Sequence, residues 1–365
     1  MSILLLIIVL AILILAHEFG HFIVAKKAGI KVEEFGLGFP PRLWGWKYGE
    51  TIYSINWIPF GGFVKILGEN PDGEQKTDIT SDPRSFQNKP YYIQALVLVA
   101  GVVFNVILAW LVLVGGLSIG LPSSLGNAPP GYTVSDPHLL VTDTLSQSPA
   151  ALAGIKSGMI ILYAERNGSA RLNQPEAESL QDFIGASAGQ TVTLGVKDEI
   201  NGGASKLIQE IKVKPISGLV PDRAAIGISM DTIGILRLPI GLAVVEAARL
   251  TLALIMNIAL ALKNILVGLL AGQTAILNSV AGPVGLVSIV GSSFALGFSY
   301  LLNLVAIISI NLAIINILPF PALDGGRLLV LLIEAVSRRK LNPQIVNTLN
   351  TAGFVLLIVL MLLVT

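Results

Sequence analysis

Long stretches of apolar residues without charges are the feature that most limits how this chain can fold. A helix needs about 20 consecutive apolar residues to cross the hydrocarbon core of a bilayer. Charged residues make up only 13% of the 365 residues, whereas soluble domains carry roughly 25%. The sequence therefore predicts a polytopic α-helical membrane protein with about four transmembrane helices, at residues 2–25, 91–120, 292–323 and 348–365.

The first stretch has the features of a retained transmembrane helix rather than a cleavable signal peptide. No Lys or Arg precedes it, and it is longer than the apolar core of a signal peptide. It also contains His17, Glu18 and His21. These features favour a helix that stays in the membrane.

Composition excludes several other classes of protein and site. The chain has no cysteine, which excludes thiolate zinc ligands, iron–sulfur clusters and thiol nucleophiles. Its net charge is +1, which argues against nucleic acid as a partner because such a partner requires a basic face. Any metal site must therefore use His, Asp or Glu.

The placement of Lys and Arg predicts the orientation of the helices, because cytoplasmic loops carry the excess of these residues. The loops 25–90 and 319–348 contain nine and four of them, whereas the chain ends contain none. Both loops are predicted to be cytoplasmic. The termini and the charged block 121–235 are predicted to be extracytoplasmic in a multi-pass protein of the inner or plasma membrane. The apolar segment 238–272 must then cross zero times or twice, as an amphipathic or re-entrant segment.

The motif His17-Glu18-Phe19-Gly20-His21 combines the residue types and spacing of a catalytic zinc site. Positions i and i+4 place both imidazoles on one face of a helix, with Glu18 beside them as general base. The pattern alone arises often by chance, but two His and a Glu in a membrane span are costly to bury and mark a functional site. Polar residues that merely join helices would not require this spacing.

A third metal ligand is needed, because catalytic zinc usually has three protein ligands and leaves a fourth position for water. Without cysteine the candidates are His138, Glu246 and Asp324. Asp324 ends the third apolar stretch, and the predicted orientation brings it to the same cytoplasmic side as the His pair. It is therefore the favoured ligand, although it would also suit the N-cap of a helix that begins at Gly325.

Residues 128–216 are predicted to form one inserted α+β domain, because β-rich runs there are broken by Gly, Asn and Pro. The segment Ser148–Ile161 (SPAALAGIKSGMII) resembles the PDZ signature that joins a short helix to a strand, with Met159 in place of the usual Asp. PDZ domains capture extended peptides at a sheet edge. A β domain without a peptide groove, or one that acts as a size filter, stays open.

The zinc motif in the first span, together with Asn316–Gly326 (NILPFPALDGG), resembles the site-2 protease family of intramembrane zinc metalloproteases. It is most similar to the bacterial PDZ-containing branch, the regulator of sigma-E protease type. Gly101–Asn105 resembles the family's Gly-x-x-x-Asn element, and Ser279–Gly285 resembles a stretch before its third span. Gly36–Pro40 and Pro59–Lys65 resemble its membrane-associated β-hairpin. The best-known members carry two PDZ domains, whereas this chain has room for one.

The resemblance implies an intramembrane zinc endopeptidase with one Zn²⁺ per chain, held by His17, His21 and Asp324, and with Glu18 as the catalytic base. Its substrates would be single-pass transmembrane proteins in the lipid bilayer, such as an anti-sigma factor, or leftover signal peptides. The predicted domains are the first two transmembrane helices with a cytoplasmic β loop, the PDZ-like domain, a linker with amphipathic or re-entrant helices, and the last two transmembrane helices. Their bounds are 1–127, 128–216, 217–291 and 292–365.

Two sets of residues are predicted to contact the substrate. Asn105 and Asn316 are amides inside apolar spans, and as hydrogen-bond donors they could hold the oxyanion or the substrate backbone. The alternative is interhelical hydrogen bonding, worth about 0.6 kcal/mol on average, which we favour for Asn311. A transmembrane substrate must unwind before cleavage, and a glycine turn between strand-like flanks could offer it an edge strand, at Gly61, Gly62, Phe63 and Val64.

Two other functions stay open on the sequence. One is a non-proteolytic membrane scaffold with a structural metal site and a peptide-binding PDZ domain. Glu18 argues against it, because structural zinc usually has four protein ligands and needs no adjacent base. The other is a transporter, which would predict internal repeats and paired broken helices; the sequence has no such repeat.

Overall fold

The computed structural model describes residues 2–69, 82–166, 170–198, 208–220, 223–272 and 282–364. The chain divides into two compact units. The first contains Met1–Val114, Val244–Gly291 and Leu304–Thr365, and the second contains Gly115–Ala243 and Ser292–Asn303. The predicted zinc motif and Asp324 both fall in the first unit.

Nine α-helices occur in the described residues. They are α1 (Ser2–Lys27), α2 (Tyr91–Ile119), α3 (Pro149–Leu152), α4 (Ala177–Gly185), α5 (Ile240–Leu270), α6 (Pro283–Leu296), α7 (Phe298–Ile317), α8 (Asp324–Ser337) and α9 (Pro343–Val364). By length and composition, five of these could cross a membrane: α1, α2, α5, α7 and the Gln344–Met361 part of α9. The helices α1, α2, α7 and α9 correspond to the four predicted spans. The third span is shorter than predicted, because the chain breaks at Gly297 with a φ of +128°.

Helix α5 corrects the prediction for segment 238–272. It runs from Ile240 to Leu270 without interruption, so a re-entrant hairpin within that segment is wrong. A turn of that kind needs residues that break a helix, and no proline occurs in 240–270. The amphipathic form of the prediction stays a prediction.

Helices α1 and α2 cross closely at Gly20. A side chain there would overlap the backbone of Ala100, since a Cβ atom would lie 2.8 Å from its carbonyl carbon. Small residues allow such close approach of helices in membranes, where van der Waals contact takes the place of the hydrophobic effect. The buried stripe on α1 continues through Leu13, His17 and His21. The crossing thus brings α2 against the face that carries the two histidines.

The first unit also contains a small sheet of two long strands, β1 (Val32–Tyr48) and β2 (Thr51–Ile66), joined by a turn at Gly49–Glu50. Residues 34–37 of β1 lie between two segments of β2, with 52–55 running parallel to them on one side and 62–65 antiparallel on the other. The chain therefore reverses direction between residues 55 and 62, as the predicted turn at Gly61-Gly62 requires, but the two flanks of the turn do not pair with each other. Instead, this stretch carries β2 from one side of β1 to the other.

The second unit is built on a seven-stranded antiparallel sheet with the order β3-β11-β4-β5-β7-β8 and with β6 paired to β5. A separate pair is formed by β9 and β10. The strands are β3 (Leu121–Ser124), β4 (Ser135–Thr144), β5 (Met159–Arg166), β6 (Ala170–Asn173), β7 (Val192–Asp198), β8 (Gln209–Val213), β9 (Ile216–Val220), β10 (Arg223–Ala225) and β11 (Ile228–Leu236). Its core includes the fully buried Leu139, Leu180 and Leu194.

The predicted PDZ-like motif forms a short helix followed by a strand, α3 and β5. Ser148 begins it as an N-cap, and its Oγ accepts a hydrogen bond from the Ala151 N–H at 3.2 Å, as expected of Ser before Pro149. The sheet also takes strands β3 and β11 from outside the predicted interval 128–216. Strand β11 follows Gly227 and begins with the alternating residues Ile228-Ser229-Met230-Asp231, a signal that the predicted interval missed.

Candidate metal centre

His17 and His21 lie one helical turn apart on the buried face of α1, with 7% and 8% of their surface exposed. The rings meet edge to face with centroids 4.8 Å apart, and their Nε2 atoms are 3.2 Å apart. This is the arrangement that the i, i+4 spacing predicts. The first two candidate ligands are thus brought together by local helix geometry alone.

Asp324 reaches the same point from the far end of the chain. Helix α7 ends at Ile317, a loop follows, and Asp324 is the first residue of α8; Leu323 rather than Asp324 occupies the N-cap position. A Cβ atom on Gly325 would overlap the backbone of Ile317, and one on Gly326 would overlap that of Phe320. The two glycines therefore allow α8 to fold directly back on the loop, which sets the position of Asp324.

Helix α9 holds this loop in place. Ala322 has a φ of +74°, a left-handed conformation that costs about 1–2 kcal/mol for a residue with a side chain. Its N–H donates a hydrogen bond to Asn350 Oδ1 at 3.2 Å. Gly353 lies against Pro321, since a Cβ atom there would be 2.7 Å from the carbonyl oxygen of that proline. Asn350 was missed from the sequence, although a polar residue in an apolar span was a usable signal.

The three candidate ligand atoms form a triangle of the size that zinc requires. Asp324 Oδ2 lies 2.9 Å from His17 Nε2 and 3.3 Å from His21 Nε2, and the two Nε2 atoms are 3.2 Å apart. Ligand atoms at 2.0–2.2 Å from a tetrahedral zinc are about 3.3–3.5 Å from one another. Two imidazoles and a carboxylate thus fit a zinc ion and leave a fourth position for water.

The two imidazoles are oriented by groups on α2. His21 Nδ1 lies 2.8 Å from the carbonyl oxygen of Val97; a carbonyl only accepts, so Nδ1 carries the hydrogen and Nε2 keeps its lone pair for a metal. His17 Nδ1 lies 3.2 Å from Asn105 Nδ2. A Cβ atom on Gly101 would lie 2.7 Å from His17 Cε1 and even closer to His21 Nε2. Both ends of the Gly-x-x-x-Asn element therefore contact the histidines.

The carboxyl group of Asp324 is ionised at neutral pH. Burial raises its pKa, but the contacts with His17 and His21 lower the pKa by more, so the net value lies below the usual range. The charge balances part of the charge of a bound divalent ion. Zinc together with its three ligands would therefore keep about one net positive charge, which an ionised Glu18 beside it can balance.

Two cavities open beside Glu18. The larger, of about 580 Å³, is lined by Glu18, His21 and Asp324, by residues of β2 and by residues of α9. The smaller, of about 240 Å³, is lined by apolar side chains and by His17, Glu18, Asn316 and Asp324. Because Glu18 and Asp324 line both cavities, a molecule in either cavity lies beside the candidate base and a candidate ligand.

The other predicted site residues fall into three groups. Asn316 lines the smaller cavity, and Gly62, Phe63 and Val64 line the larger one. Gly61 is buried against the ring of Phe39 and is not in that lining. Asn105 is fully buried behind His17, outside the walls of both cavities.

Three residues that the sequence weighed lie elsewhere. His138 is on strand β4 of the second unit, with Nδ1 3.0 Å from the carbonyl oxygen of Asp136. Glu246 is buried in α5, with its carboxylate 3.8 Å from Arg249. Asn311 Nδ2 donates to the carbonyl oxygen of Ile307 in its own helix at 3.1 Å, where an interhelical bond was expected. Of the stretch Ser279–Gly285, residues 279–281 lie outside the described residues.

Comparison with known proteins agrees with this centre. The model of peptidase family M50 matches residues 5–360. A candidate zinc metalloprotease of Clostridium perfringens is 34% identical over 97% of this chain and 94% of its own length. The zinc metalloprotease RasP of Geobacillus kaustophilus is 28% identical over 100% and 96%. The chloroplastic membrane metalloprotease ARASP of Arabidopsis thaliana is 30% identical over 96% and 75%.

The family match covers both halves of the metal centre, since it includes the α1 motif and Asp324. It also covers the inserted β-rich unit and the helices that could cross a membrane. The geometry of the ligand triangle and the extent of the match lead to one conclusion. This chain belongs to peptidase family M50, the zinc-dependent site-2 protease family, and is a multi-pass membrane protein.

Proposed function

We propose that this zinc metalloprotease hydrolyses a peptide bond in or near the transmembrane segment of a single-pass membrane protein. The observation that carries the proposal is the position of His17, Glu18 and His21 inside α1, a helix of 26 residues that is apolar enough to cross a membrane. A bond that reaches these residues must enter the depth of that helix. A soluble polypeptide would have to leave water to reach that depth, whereas a membrane-spanning segment already lies at that depth.

The proposed reaction divides the work between the ion and the protein. His17, His21 and Asp324 would hold zinc, which when bound acts as a Lewis acid on the scissile carbonyl and lowers the pKa of water to about 7. Glu18 takes the proton of the attacking water and delivers it to the leaving amine nitrogen. Asp324 remains ionised throughout, so Glu18 is the carboxylate that exchanges the proton.

Asn316 is proposed to contact the reacting group. It lines the smaller cavity together with Glu18 and Asp324, and its amide NH₂ can donate a hydrogen bond to a substrate carbonyl. In other enzymes, removal of one hydrogen-bond donor to the developing oxyanion lowers kcat by about 10²–10³-fold. The position is therefore consistent with the predicted role.

The edge of β2 is proposed to bind the substrate backbone. A transmembrane helix has every amide paired, so it must unwind before its backbone can be cut, and an unwound segment can add to a strand edge. Among the described residues, segment 62–65 has a strand partner on one side, 34–37. Gly62, Phe63 and Val64 of this segment line the cavity beside Glu18. The edge is thus near the proposed base.

A pair of proline variants tests this docking. Successive N–H groups along a strand point to opposite sides. Proline has no N–H, so one of the variants Phe63→Pro and Val64→Pro removes a hydrogen bond to residues 34–37. The other removes a hydrogen-bond donor on the cavity side. We expect both variants to bind zinc and the cavity-side variant to cleave more slowly. Unchanged cleavage by that variant would remove the strand edge from the proposal.

The membrane orientation is proposed from the same geometry. Asp324 follows α7 and contacts His17 in the C-terminal half of α1, so the two helices run in the same direction. If α2 returns the chain, an even number of crossings must separate α2 from α7. Helix α5 then lies along the membrane or forms one of a pair of crossings. Basic loops support a cytoplasmic active site, with both termini and the PDZ-like domain extracytoplasmic in an inner or plasma membrane.

The remaining proposals concern partners. Trp44, Trp46 and Trp57 are exposed on β1 and β2, which supports a membrane-associated hairpin because Trp is enriched at membrane interfaces.

The PDZ-like domain, 128–216 with β3 and β11 added, is proposed to capture or filter the extracytoplasmic part of a substrate. Anti-sigma factors and leftover signal peptides both satisfy these requirements.

The function is tested with purified protein in liposomes that contain a single-pass peptide labelled at both ends. We expect cleavage within or next to the transmembrane segment, located by mass spectrometry, and no cleavage by Glu18→Gln. Zinc-loaded wild type that leaves every such peptide intact would favour the scaffold function instead. If a soluble peptide with the same residues around the cleavage site is cleaved as fast as the membrane peptide, the proposal of a membrane substrate is contradicted.

A further inference from the structure

Asn105 is buried in a position that does not suit a substrate contact. Its exposed fraction is 0%, and the walls of the two cavities beside Glu18 do not include it. Its side-chain amide instead lies 3.2 Å from His17 Nδ1. Its backbone carbonyl accepts a hydrogen bond from Ser309 Oγ at 2.8 Å, which ties this turn of α2 to α7. The amide can therefore act on the reaction only through His17.

The chemistry of His17 decides which amide atom should face it. A neutral imidazole that binds zinc through Nε2 carries its hydrogen on Nδ1, and that hydrogen needs an acceptor. His21 has one in the carbonyl oxygen of Val97. For His17 the polar group at Nδ1 is the Asn105 amide, whose Nδ2 is a donor and cannot accept.

Rotation of the amide by 180° supplies the acceptor. The oxygen and nitrogen of an asparagine amide have nearly the same shape, so Oδ1 can take the place of Nδ2 without moving any other atom. In the observed orientation Oδ1 is buried and has no hydrogen-bond partner among the described residues. Rotation exchanges which amide atom is unpaired, so the tautomer of His17 selects the orientation.

We propose that Asn105 is a positioning residue that accepts a hydrogen bond from His17 Nδ1 through Oδ1 and thereby keeps Nε2 directed at zinc. This role replaces the predicted contact with the oxyanion. Asn105 then has the same role for His17 as the Val97 carbonyl has for His21, and the two acceptors lie about two turns apart on α2. The proposal rests on zinc binding at the proposed active site, but not on the identity of the substrate.

The test compares zinc affinity among variants of Asn105, measured by competition with a chelator in detergent. Asn105→Leu keeps the number and branching of the side-chain heavy atoms and removes the acceptor, and outer partners of ligating histidines typically contribute 10–100-fold to metal affinity or activity. We expect a loss of that size. Asn105→Asp keeps an acceptor and should bind zinc at least as tightly as wild type. Asn311→Leu, an amide that bonds within its own helix, is the control and should not change the affinity.

Nitrogen NMR gives a second readout that a purely structural role would not change. The chain has three histidines, so a sample labelled only in histidine gives a simple spectrum, with the half-buried His138 of the second unit as reference. Zinc-loaded wild type and Asn105→Asp should show a protected Nδ1–H on His17. In Asn105→Leu this proton should exchange faster with water while that of His21 stays protected.

The outcomes separate this inference from the proposed function. Wild-type zinc affinity in Asn105→Leu, or equal losses in the Leu and Asp variants, would overturn the positioning role and leave the protease function intact. If the Leu variant does not fold, Asn105→Ala also lacks the acceptor and carries the same expectation. Wild type that binds zinc but cleaves no membrane peptide would overturn the function alone. Wild type that binds no zinc would overturn both.

Discussion

Gly101 makes the clearest quantitative prediction, because its missing side chain leaves the space that both imidazoles fill. A Cβ atom there would lie 2.7 Å from His17 Cε1 and 2.8 Å from His17 Nε2, with His21 Nε2 nearer still, whereas ordinary contact begins at 3.4 Å. In Gly101→Ala the His17 ring must therefore retreat by about 0.6–0.7 Å and the His21 ring by more. Zinc ligand distances tolerate only about 0.2 Å.

The rings cannot retreat without losing other contacts. His21 Nδ1 is held at 2.8 Å from the carbonyl oxygen of Val97. Separation of the helices would give up the close contact of α1 and α2 at Gly20. A misplacement of about 1 Å at a reacting centre can cost about 100-fold in rate. We expect Gly101→Ala to lose at least that factor in cleavage and to bind zinc more weakly.

The assay is zinc affinity by chelator competition, followed by cleavage of a membrane peptide at saturating zinc. Gly115→Ala is the matched control, because it lies on the same helix and a Cβ atom there meets nothing within 4 Å. It should leave zinc affinity unchanged and can gain up to about 1 kcal/mol from helix propensity. If Gly101→Ala binds zinc as tightly as Gly115→Ala, the proposed packing of the histidines against α2 is refuted.

Three further predictions concern the base, the loop before α8 and the hairpin. Glu18→Gln should keep its zinc and lose about 10²–10⁴ in turnover, measured as metal content and cleavage; wild-type turnover would exclude Glu18 as base. Asn350→Ala removes the hydrogen bond to that loop and should cost about 0.5–1.5 kcal/mol in thermal unfolding and weaken zinc binding, whereas Asn347→Ala should do neither. The hydrogen bond from Lys26 lowers the pKa of Glu50, so its stabilisation is present above the ordinary pKa of about 4.3 and lost on acidification below it. Glu50→Gln should remove that part of the pH dependence of unfolding, and an unchanged profile would count against the ion pair.

The three candidate metal ligands can be picked out from the sequence, because each follows from helix spacing or from the distribution of charge along the chain. The i, i+4 spacing of His17 and His21 fixes their geometry within one helix. The scarcity of charge makes Asp324 conspicuous at the end of an apolar run, and charge placement predicts that it lies on the same side of the membrane as the two histidines. Neither inference needed a tertiary contact.

The features that were not predictable all depend on distant contacts. The stretch at Gly61-Gly62 has the composition of a turn, but nothing in it shows that residues 34–37 lie between its two flanks and pair with both. Asn105 was expected to face the substrate, since nothing in its own helix shows which neighbour its amide meets. The backbone carbonyl of Val97 carries no sequence signal, because every residue has one.

The central claim is that His17, His21 and Asp324 together hold one zinc ion that hydrolysis requires. It is tested most directly by the zinc content of purified wild type beside His17→Ala, Asp324→Ala and Glu18→Gln. We predict one equivalent per chain in wild type and in Glu18→Gln, and loss of that equivalent in the other two variants. Retention of a full equivalent by Asp324→Ala would contradict the claim and show that the third ligand lies elsewhere.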